Sequence, residues 1–233
     1  MNDSVIPVGE VHLWWARVSD AEPHLDRLRP MLNSEELERA ARFRVEGAAR
    51  RFVVARAVLR SLLGLATEVD PAEVVFAYGE HGKPRLAAGG PSFNASDSGD
   101  FVAVGLASAE LGIDVEVVRP LARRERLALR ICTERELEAF ETIPEAERDA
   151  AFLRLWTCKE AALKAVGIGL SGGVRNIEID LRPDGSPRLH RLCGEVDSWT
   201  LLPIALNPEL VCSVVIRGDG GKVRIQPWCF HSK

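Results

Sequence analysis

The sequence lacks several features that would point to particular classes of protein. It has no apolar run of transmembrane length, and its first residues have neither the basic segment nor the apolar core of a signal peptide. Its formal net charge is only −4 over 233 residues, so composition indicates no nucleic-acid-binding surface for the whole molecule. We therefore expect a soluble, globular, cytoplasmic protein with one large or two small cores and with neither a membrane nor a nucleic acid as partner.

Cysteine and histidine are few and scattered. The five cysteines show no Cys-x-x-Cys spacing, and they form no zinc-binding pattern with the five histidines. An odd and irregular set of cysteines in a chain without an export signal predicts reduced thiols. The sequence thus indicates neither a disulfide framework nor a zinc site.

The stretch from Phe152 to Gly167 is predicted to form one helix, because it contains no proline, is rich in alanine and leucine, and ends at a glycine. Lys159 falls in the middle of its apolar face, and Glu160 lies at the edge of that face. A lysine there is costly unless its ammonium group reaches water, an anion or a carboxylate. Lys159 could extend to water while Glu160 pairs with it or with Lys164, or these charges could serve a ligand.

A second acidic cluster lies in residues 111–118, where apolar and acidic residues alternate. In a strand, Asp114 and Glu116 would point to the same face and repel each other. A divalent cation would remove this repulsion. Together with Glu160 they supply three oxygen ligands, which suit Mg²⁺, and Mn²⁺ accepts the same oxygens. The alternative is a solvated polar face on an edge strand.

Other segments fit a chain of mixed helices and strands. Residues 9–18 predict a strand, a helix should begin near Ser34, and a longer helix is predicted from Ala48 to Leu63, ended by Gly64. The flanks of the longer helix carry four arginines: Arg50, Arg51, Arg56 and Arg60. Such a run usually solvates a helix.

Two motifs together resemble the paired signature of the 4′-phosphopantetheinyl transferase superfamily, in its longer, Sfp-like class: Gly112-Ile113-Asp114-Val115-Glu116 and Trp156-Thr157-Cys158-Lys159-Glu160-Ala161-Ala162-Leu163-Lys164-Ala165. The resemblance also covers Gly82-Lys83-Pro84, Phe93-Asn94-Ala95-Ser96-Asp97-Ser98 and the arginine-rich helix, so it spans most of the chain. Each motif alone is modest evidence. In this order and spacing they are specific.

The resemblance implies an α+β fold of two similar halves related by a pseudo-twofold axis, with coenzyme A in the cleft between them. We accordingly expect an N-terminal half, residues 1–109, that contacts the phosphates and adenine of coenzyme A. The C-terminal half, residues 110–233, is expected to carry the metal site and the contacts to a carrier protein.

The resemblance also implies roles for single residues. Metal ligation is expected from Asp114, Glu116 and Glu160, and catalysis from Glu160, Lys159 and Asp114. Contacts to coenzyme A are expected from the following residues: Arg51, Arg56, Lys83, Pro84, Asn94, Ser96, Asp97, Lys159 and Lys164. Asp97 stands where the family usually has histidine, and its charge would repel the phosphates. It could point away, be compensated by a nearby arginine, or reduce the affinity for coenzyme A.

The implied activity is Mg²⁺-dependent transfer of 4′-phosphopantetheine from coenzyme A to a serine of an apo acyl or peptidyl carrier protein, with release of 3′,5′-ADP. The resemblance further implies a monomer. Carrier proteins are acidic helical bundles, so an arginine-rich segment is expected to steer them: Arg119, Arg123, Arg124, Arg126 and Arg130. Two alternatives stay open. One is a metal-dependent phosphohydrolase, and the other is a catalytically weak or silent module that binds coenzyme A or a carrier.

Overall fold

The structure is a computed structural model that describes residues 6–169, 173–181, 186–192 and 196–230. The strands in these ranges are β1 (Glu10–Arg17), β2 (Phe76–Tyr78), β3 (Pro84–Leu86), β4 (Ser92–Ser98), β5 (Phe101–Ala107), β6 (Leu111–Val117), β7 (Glu178–Leu181), β8 (Pro187–Arg191), β9 (Trp199–Ile204), β10 (Leu210–Arg217) and β11 (Lys222–Pro227). The α-helices are α1 (Leu25–Leu28), α2 (Ser34–Ala41), α3 (Glu46–Thr67), α4 (Arg124–Ile131), α5 (Glu134–Glu141) and α6 (Arg148–Val166).

The two halves of the chain repeat the same arrangement of elements. In the first, β1 pairs with β5 and β5 with β4; in the second, β6 pairs with β10 and β10 with β9, and all of these pairings are antiparallel. One long helix packs on each sheet, α3 on β4 and β5 and α6 on β6 and β10. A short hairpin accompanies each sheet, β2–β3 and β7–β8. The predicted α+β fold of two similar halves is confirmed.

The last strand of the chain returns to the first sheet. β11 pairs in parallel with β1, from Glu10 opposite Lys222 to Trp15 opposite Pro227, and completes the order β11-β1-β5-β4. This strand therefore lies with the N-terminal sheet, although it follows β10 of the C-terminal sheet in sequence. A division of the chain at residue 110 stays a prediction.

Helix α3 is longer than the sequence predicts, because Gly64 lies inside it and not at its end. A Cβ atom at Gly64 would lie 2.7 Å from the carbonyl oxygen of Val69. The glycine is thus required for the close packing of the turn that follows the helix. The helix ends at Glu68, which adopts the left-handed conformation with φ of 56°.

Helix α6 ends at Gly167 as predicted, with φ of 78°. Its fit against β6 depends on Gly112, where a Cβ atom would lie 2.0 Å from the carbonyl oxygen of Ala161. No larger residue leaves room for this approach, so the glycine of the first motif allows the helix of the second motif to lie directly on the strand.

Two further expectations concern the whole chain. Within the described ranges, no helix combines the length and apolar character needed to cross a membrane. Cys132, Cys158, Cys212 and Cys229 are free, as predicted for reduced thiols. Cys193 lies outside the described residues.

Candidate active site

Three acidic side chains meet where α6 packs on β6. Asp114 and Glu116 lie on the strand, and Glu160 lies on the helix. Asp114 is only 6% exposed, and the other two are partly buried. The negative charges of Asp114 and Glu116 both raise the pKa of Glu160, which places the three carboxylates within electrostatic reach of one another. The three residues predicted to bind metal therefore lie near one another, and their binding of a metal stays a prediction.

The electrostatics of this acidic cluster (Asp114, Glu116 and Glu160) are unfavourable without a cation or a proton. Burial raises the pKa of Asp114 and outweighs the hydrogen bonds from Lys164 and Ser96, which lower it. Burial is also the main cause of the raised pKa of Glu160. Asp114 Oδ2 and Glu160 Oε1 are buried and have no hydrogen-bond partner among the described residues. Buried oxygens of this kind are rare and costly, so the cluster is suited to bind a positive charge.

The chemistry of the donors fits a hard divalent cation, which prefers carboxylate oxygens. In the part of the chain that the structure describes, however, no three acidic, histidine or cysteine side chains are already arranged to hold a metal ion. Two cationic side chains occupy part of the cluster: Lys164 Nζ lies 2.7 Å from Asp114 Oδ1, and Arg119 Nη1 lies 2.8 Å from Glu116 Oε2. A metal would use the oxygens that these two cations leave free.

Lys164 reaches the acidic cluster, but its contacts are with the protein. Besides Asp114, its ammonium group donates to Ser96 Oγ and to the backbone carbonyl of Ile113, both at 3.1 Å. The side chain is 28% exposed. Lys164 therefore compensates the charge of Asp114, and a contact to phosphate stays a prediction.

Strand β4 presents a row of polar side chains to β6. Alternate residues accept hydrogen bonds from backbone N–H groups of β6: Asn94 from Ile113 at 2.8 Å, Ser96 from Val115 at 3.3 Å and Ser98 from Val117 at 3.2 Å. The hydroxyl groups of Ser96 and Ser98 also donate to Asp114 Oδ1 at 2.7 Å and to Glu116 Oε2 at 2.6 Å. Asn94 and Ser96, which were predicted to contact coenzyme A, are buried against the other half of the protein.

Comparison with known proteins identifies the family. A sequence model of the 4′-phosphopantetheinyl transferase superfamily matches residues 110–215, and a model of the N-terminal part of 4′-phosphopantetheinyl transferase matches residues 18–110. Over 216 residues the chain is 37% identical to the 4′-phosphopantetheinyl transferase HetI of Nostoc sp., and the match covers 91% of this chain and 89% of that protein. The chain belongs to the 4′-phosphopantetheinyl transferase superfamily.

A second relative agrees with this result. The 4′-phosphopantetheinyl transferase Sfp of Bacillus subtilis is 27% identical over 195 residues, which cover 79% of this chain and 86% of that protein. Among solved structures, a holo-(acyl-carrier-protein) synthase from Bacillus anthracis in complex with CoA (3′,5′-ADP) is 24% identical, covers 47% of this chain and 96% of that chain, and gives a TM-score of 0.40. The resemblance that the motifs indicated is confirmed, and the protein is a phosphopantetheinyl transferase.

Lys159 does not reach the acidic cluster of this transferase. Its side chain is fully buried and pairs with the equally buried Glu136, at 2.7 Å between Nζ and Oε2. The ammonium group also donates to the backbone carbonyls of Ile131, Val174 and Ile177, at 2.9, 3.2 and 2.7 Å. All its hydrogens are thus used inside the protein. The structure contradicts the prediction that Lys159 contacts phosphate, and it also excludes extension of this lysine to water.

The unusual Asp97 pairs with Arg51. Asp97 Oδ2 accepts a hydrogen bond from Arg51 Nε at 2.5 Å, and Arg51 Nη1 donates to the carbonyl oxygen of Gly99 at 3.1 Å. The side chain of Arg51 is 32% exposed and that of Asp97 is 45% exposed, so the pair faces solvent. Of the three explanations for Asp97, compensation by a nearby arginine is the one that these contacts favour.

Arg56 and Lys83 also contact protein groups. Arg56 Nε donates to Glu36 Oε1 at 2.6 Å, and its guanidinium lies 4.6 Å from the ring centre of Phe76. Arg56 is thus engaged within its own half, and its contact with coenzyme A stays a prediction. Lys83 Nζ donates to the carbonyl oxygens of Ala165 at 2.7 Å and Leu111 at 3.1 Å, and burial lowers its pKa.

A cavity of about 480 Å³ lies between the β2–β3 hairpin and the end of α6. Lys83 and Pro84 line it from the N-terminal half, and Val166 and Gly167 line it from the C-terminal half. The cavity thus lies between the two halves, where the resemblance placed coenzyme A. Residue roles at this cavity stay predictions.

The arginines between the two motifs divide into two groups. Arg124 is buried and pairs with Glu125, Glu145 and Asp149, at 2.7, 2.5 and 2.9 Å. It therefore fastens α4 to the start of α6 and is not available to steer a carrier protein, contrary to the prediction. Arg119 is partly engaged as well, through Glu116.

The remaining arginines of this segment, Arg123, Arg126 and Arg130, are exposed and have no ion pair within the described ranges. Leu129, on the same helix, is 63% exposed. A groove of about 510 Å³ lies beside this helix and reaches Glu116. Apolar side chains make up most of its lining: Leu121, Leu127, Ile131, Phe152, Leu153, Trp156 and Val174. An apolar groove with a basic border thus adjoins the acidic cluster.

Sequence reasoning missed two contacts that organise this site. The Thr133–Glu136 capping box is readable from the sequence and is present, but nothing local shows that Glu136 meets Lys159. The alternation of Asn94, Ser96 and Ser98 is a signal for a polar strand face that could have been used. It would not have identified β6 as the partner.

Proposed function

We propose that this protein transfers the 4′-phosphopantetheine group from coenzyme A to a serine hydroxyl of an apo acyl or peptidyl carrier protein, in a Mg²⁺-dependent reaction that releases 3′,5′-ADP. The observation that carries the proposal is the acidic cluster, with its two unpartnered buried oxygens, in a chain of this superfamily. Relatives of this family support phosphopantetheinyl transfer to carrier proteins as the coarser activity.

Asp114, Glu116 and Glu160 would hold the metal. When bound, Mg²⁺ would supply Lewis-acid stabilisation of the negative charge on the reacting phosphates. Glu160 is our candidate for the base that accepts the serine proton, because its Oε1 has no hydrogen-bond partner among the described residues. Lys164 keeps Asp114 in place and compensates its charge.

The cavity between the halves supports a site for the phosphate and adenine end of coenzyme A. Its border includes Lys83, whose ammonium group lies at the C-terminal end of α6. Coenzyme A is a multiply charged anion, and Lys83, Lys164 and Arg51 are the cations that we assign to it. Arg51 can contact the ligand only after it leaves Asp97, or through N–H groups of its guanidinium that do not bind Asp97.

The exposed face of α4 supports the docking of an acidic, helical carrier protein. Arg123, Arg126 and Arg130 offer positive charge without competing partners in the described ranges, and Leu129 offers apolar surface. Reversal of charge by Arg126→Glu should raise the KM for the carrier and leave the KM for coenzyme A unchanged. An unchanged carrier KM would argue against this docking face.

The test is intact-mass spectrometry of apo acyl and apo peptidyl carrier proteins after incubation with the protein, coenzyme A and Mg²⁺. We expect the carrier to gain the mass of one phosphopantetheine and 3′,5′-ADP to appear, and we expect both to require metal. Glu160→Gln should slow the gain by about 100- to 1,000-fold, whereas Glu138→Gln, at an exposed acid on α5, should not change its rate.

Two other outcomes would assign a different function. Release of inorganic phosphate without a carrier protein would indicate a metal-dependent phosphohydrolase. Binding of coenzyme A with no mass gain on any carrier would indicate a silent binding module.

A further inference from the structure

We propose that Asn94, Ser96 and Ser98 form a positioning ladder that joins the two halves of the protein and holds Asp114 and Glu116 in place. The residues act through the carboxylates and do not bind coenzyme A themselves. The link to catalysis rests on the proposed function, whereas the ladder itself rests on contacts between β4 and β6.

The ladder supplies hydrogen-bond partners to buried N–H groups of strand β6. One side of β6 pairs with β10 through backbone hydrogen bonds, and the other side is a sheet edge. Ile113 and Val115 on this strand are essentially fully buried, so their N–H groups need partners inside the protein. The backbone of β4 already pairs with β5, and β4 therefore offers side-chain oxygens to β6.

The spacing of the ladder follows from strand geometry. Side chains two residues apart on a strand point to the same face, and the N–H groups along one edge of its neighbour repeat with the same period. Asn94, Ser96 and Ser98 match this period, and each accepts from the N–H at the corresponding step of β6. Their side chains take the place of a backbone ladder between the two sheets.

The two serines have a second task. A hydroxyl group has one hydrogen to donate and two lone pairs that can accept. Because the N–H groups of Val115 and Val117 occupy the acceptor side, the hydrogens of Ser96 and Ser98 point to Asp114 and Glu116. Both donors belong to the N-terminal half, and both carboxylates belong to the C-terminal half. The placement of these acids thus depends on how the two halves are joined.

The sharpest test compares Ser98→Val with Ser98→Thr. Ser98 is only partly buried, so a β-branched side chain has room, and the two variants differ mainly in the hydroxyl group. The probe is Mn²⁺ alone, whose binding is followed by loss of the free-ion signal in electron paramagnetic resonance. Transfer to a carrier protein is measured in parallel, and Ser108→Ala, at an exposed serine, is the control.

We expect Ser98→Val to weaken Mn²⁺ binding about 10- to 100-fold, as is usual when a group that orients a metal ligand is lost. The kcat at fixed metal should fall in parallel, and the KM for coenzyme A should stay within about twofold, because a positioning residue does not touch this substrate. Ser98→Thr should restore metal binding and kcat, and Ser108→Ala should match the wild type.

Equal Mn²⁺ binding by the Val and Thr variants would overturn the proposal. A higher KM for coenzyme A with unchanged Mn²⁺ binding would also overturn it, because Ser98 would then be a substrate contact. If the wild type binds no Mn²⁺, the ladder has no metal ligands to position and the proposal fails. If the wild type binds Mn²⁺ but modifies no carrier protein, the proposed function fails, and the comparison of Val with Thr still decides the ladder.

Discussion

The polar groups of the two halves meet at one site but differ in how fully they are engaged. In the N-terminal half, Asn94, Ser96 and Ser98 all contact protein groups already. In the C-terminal half, Asp114 and Glu160 each keep a buried oxygen without a partner in the described ranges. The first set stabilises the fold, whereas the second set leaves oxygens available for a ligand.

This difference gives a rule for mutagenesis. Removal of a charge that the protein already uses should lower the free energy of unfolding, because its partner is left buried and unpaired. Removal of a charge without a partner should lower activity and leave stability unchanged or higher. Lys159 and Glu160 are neighbours on α6, but the rule predicts a loss of stability for the first and a loss of activity for the second.

The largest effect is expected for Lys159→Met. Removing one member of a buried ion pair costs about 3–5 kcal/mol of stability, and Lys159 also holds three backbone carbonyls. Urea unfolding should therefore show a large loss. Lys164→Met is the matched control, with a smaller loss because that side chain is partly exposed. Equal losses for the two variants would contradict the assignment of Lys159 as the structural lysine.

Glu160→Gln should show the opposite pattern. We expect transfer to fall by about 100- to 1,000-fold, which is typical when one preorganised electrostatic group is lost. The free energy of unfolding at neutral pH should not fall, because the variant removes a charge whose Oε1 is buried without a partner among the described residues. A marked loss of stability together with normal transfer would show that Glu160, like Lys159, is structural and does not take part in the reaction.

The pH dependence of stability should reveal the same carboxylates. Burial raises the pKa of Glu160 above its ordinary value of 4.5, so the folded protein keeps this proton at pH values where the unfolded chain has released it. In EDTA, the wild type should therefore gain stability relative to Glu160→Gln as the pH falls from neutral. The gain should be complete below about pH 4.5 and small, under about 2 kcal/mol, because the group is partly exposed. A relative loss of stability on acidification would contradict the raised pKa.

The smallest effect is expected for Asp97→Asn. An exposed ion pair contributes at most about 1 kcal/mol, so release of Arg51 should lower the KM for coenzyme A only severalfold. Asp180→Asn, which breaks a comparable surface pair with Arg135 in the other half, should leave this KM unchanged. A higher KM for Asp97→Asn would show that Asp97 itself helps to bind the ligand.

The parts of the site that could be predicted are those that depend on local periodicity. Asp114 and Glu116 share a strand face because their spacing is two, and the helix that carries Glu160 is evident from its composition. The family signature then links the strand to the helix. Gly64 shows the limit of such reasoning, because a glycine required for packing and a glycine that ends a helix look alike in sequence.

The parts that could not be predicted depend on which elements become neighbours. Lys159 meets Glu136 because α5, α6 and β7 pack around one point, and no spacing along the chain records this. Arg124 looks like its exposed neighbours in sequence, but the fold places three carboxylates around it. The partner of β4 is likewise decided by the meeting of two sheet edges.

The measurement that tests the account most directly is the metal-dependent stabilisation of the protein by coenzyme A. Unfolding temperatures would be recorded for the wild type and Glu160→Gln with coenzyme A, first in EDTA and then with Mg²⁺. We predict that Mg²⁺ adds a further rise in Tm for the wild type and none for Glu160→Gln, because a ligand that binds only the folded state stabilises it. The same metal-dependent rise in both proteins, or none in either, would contradict the claim that the acidic cluster binds the metal.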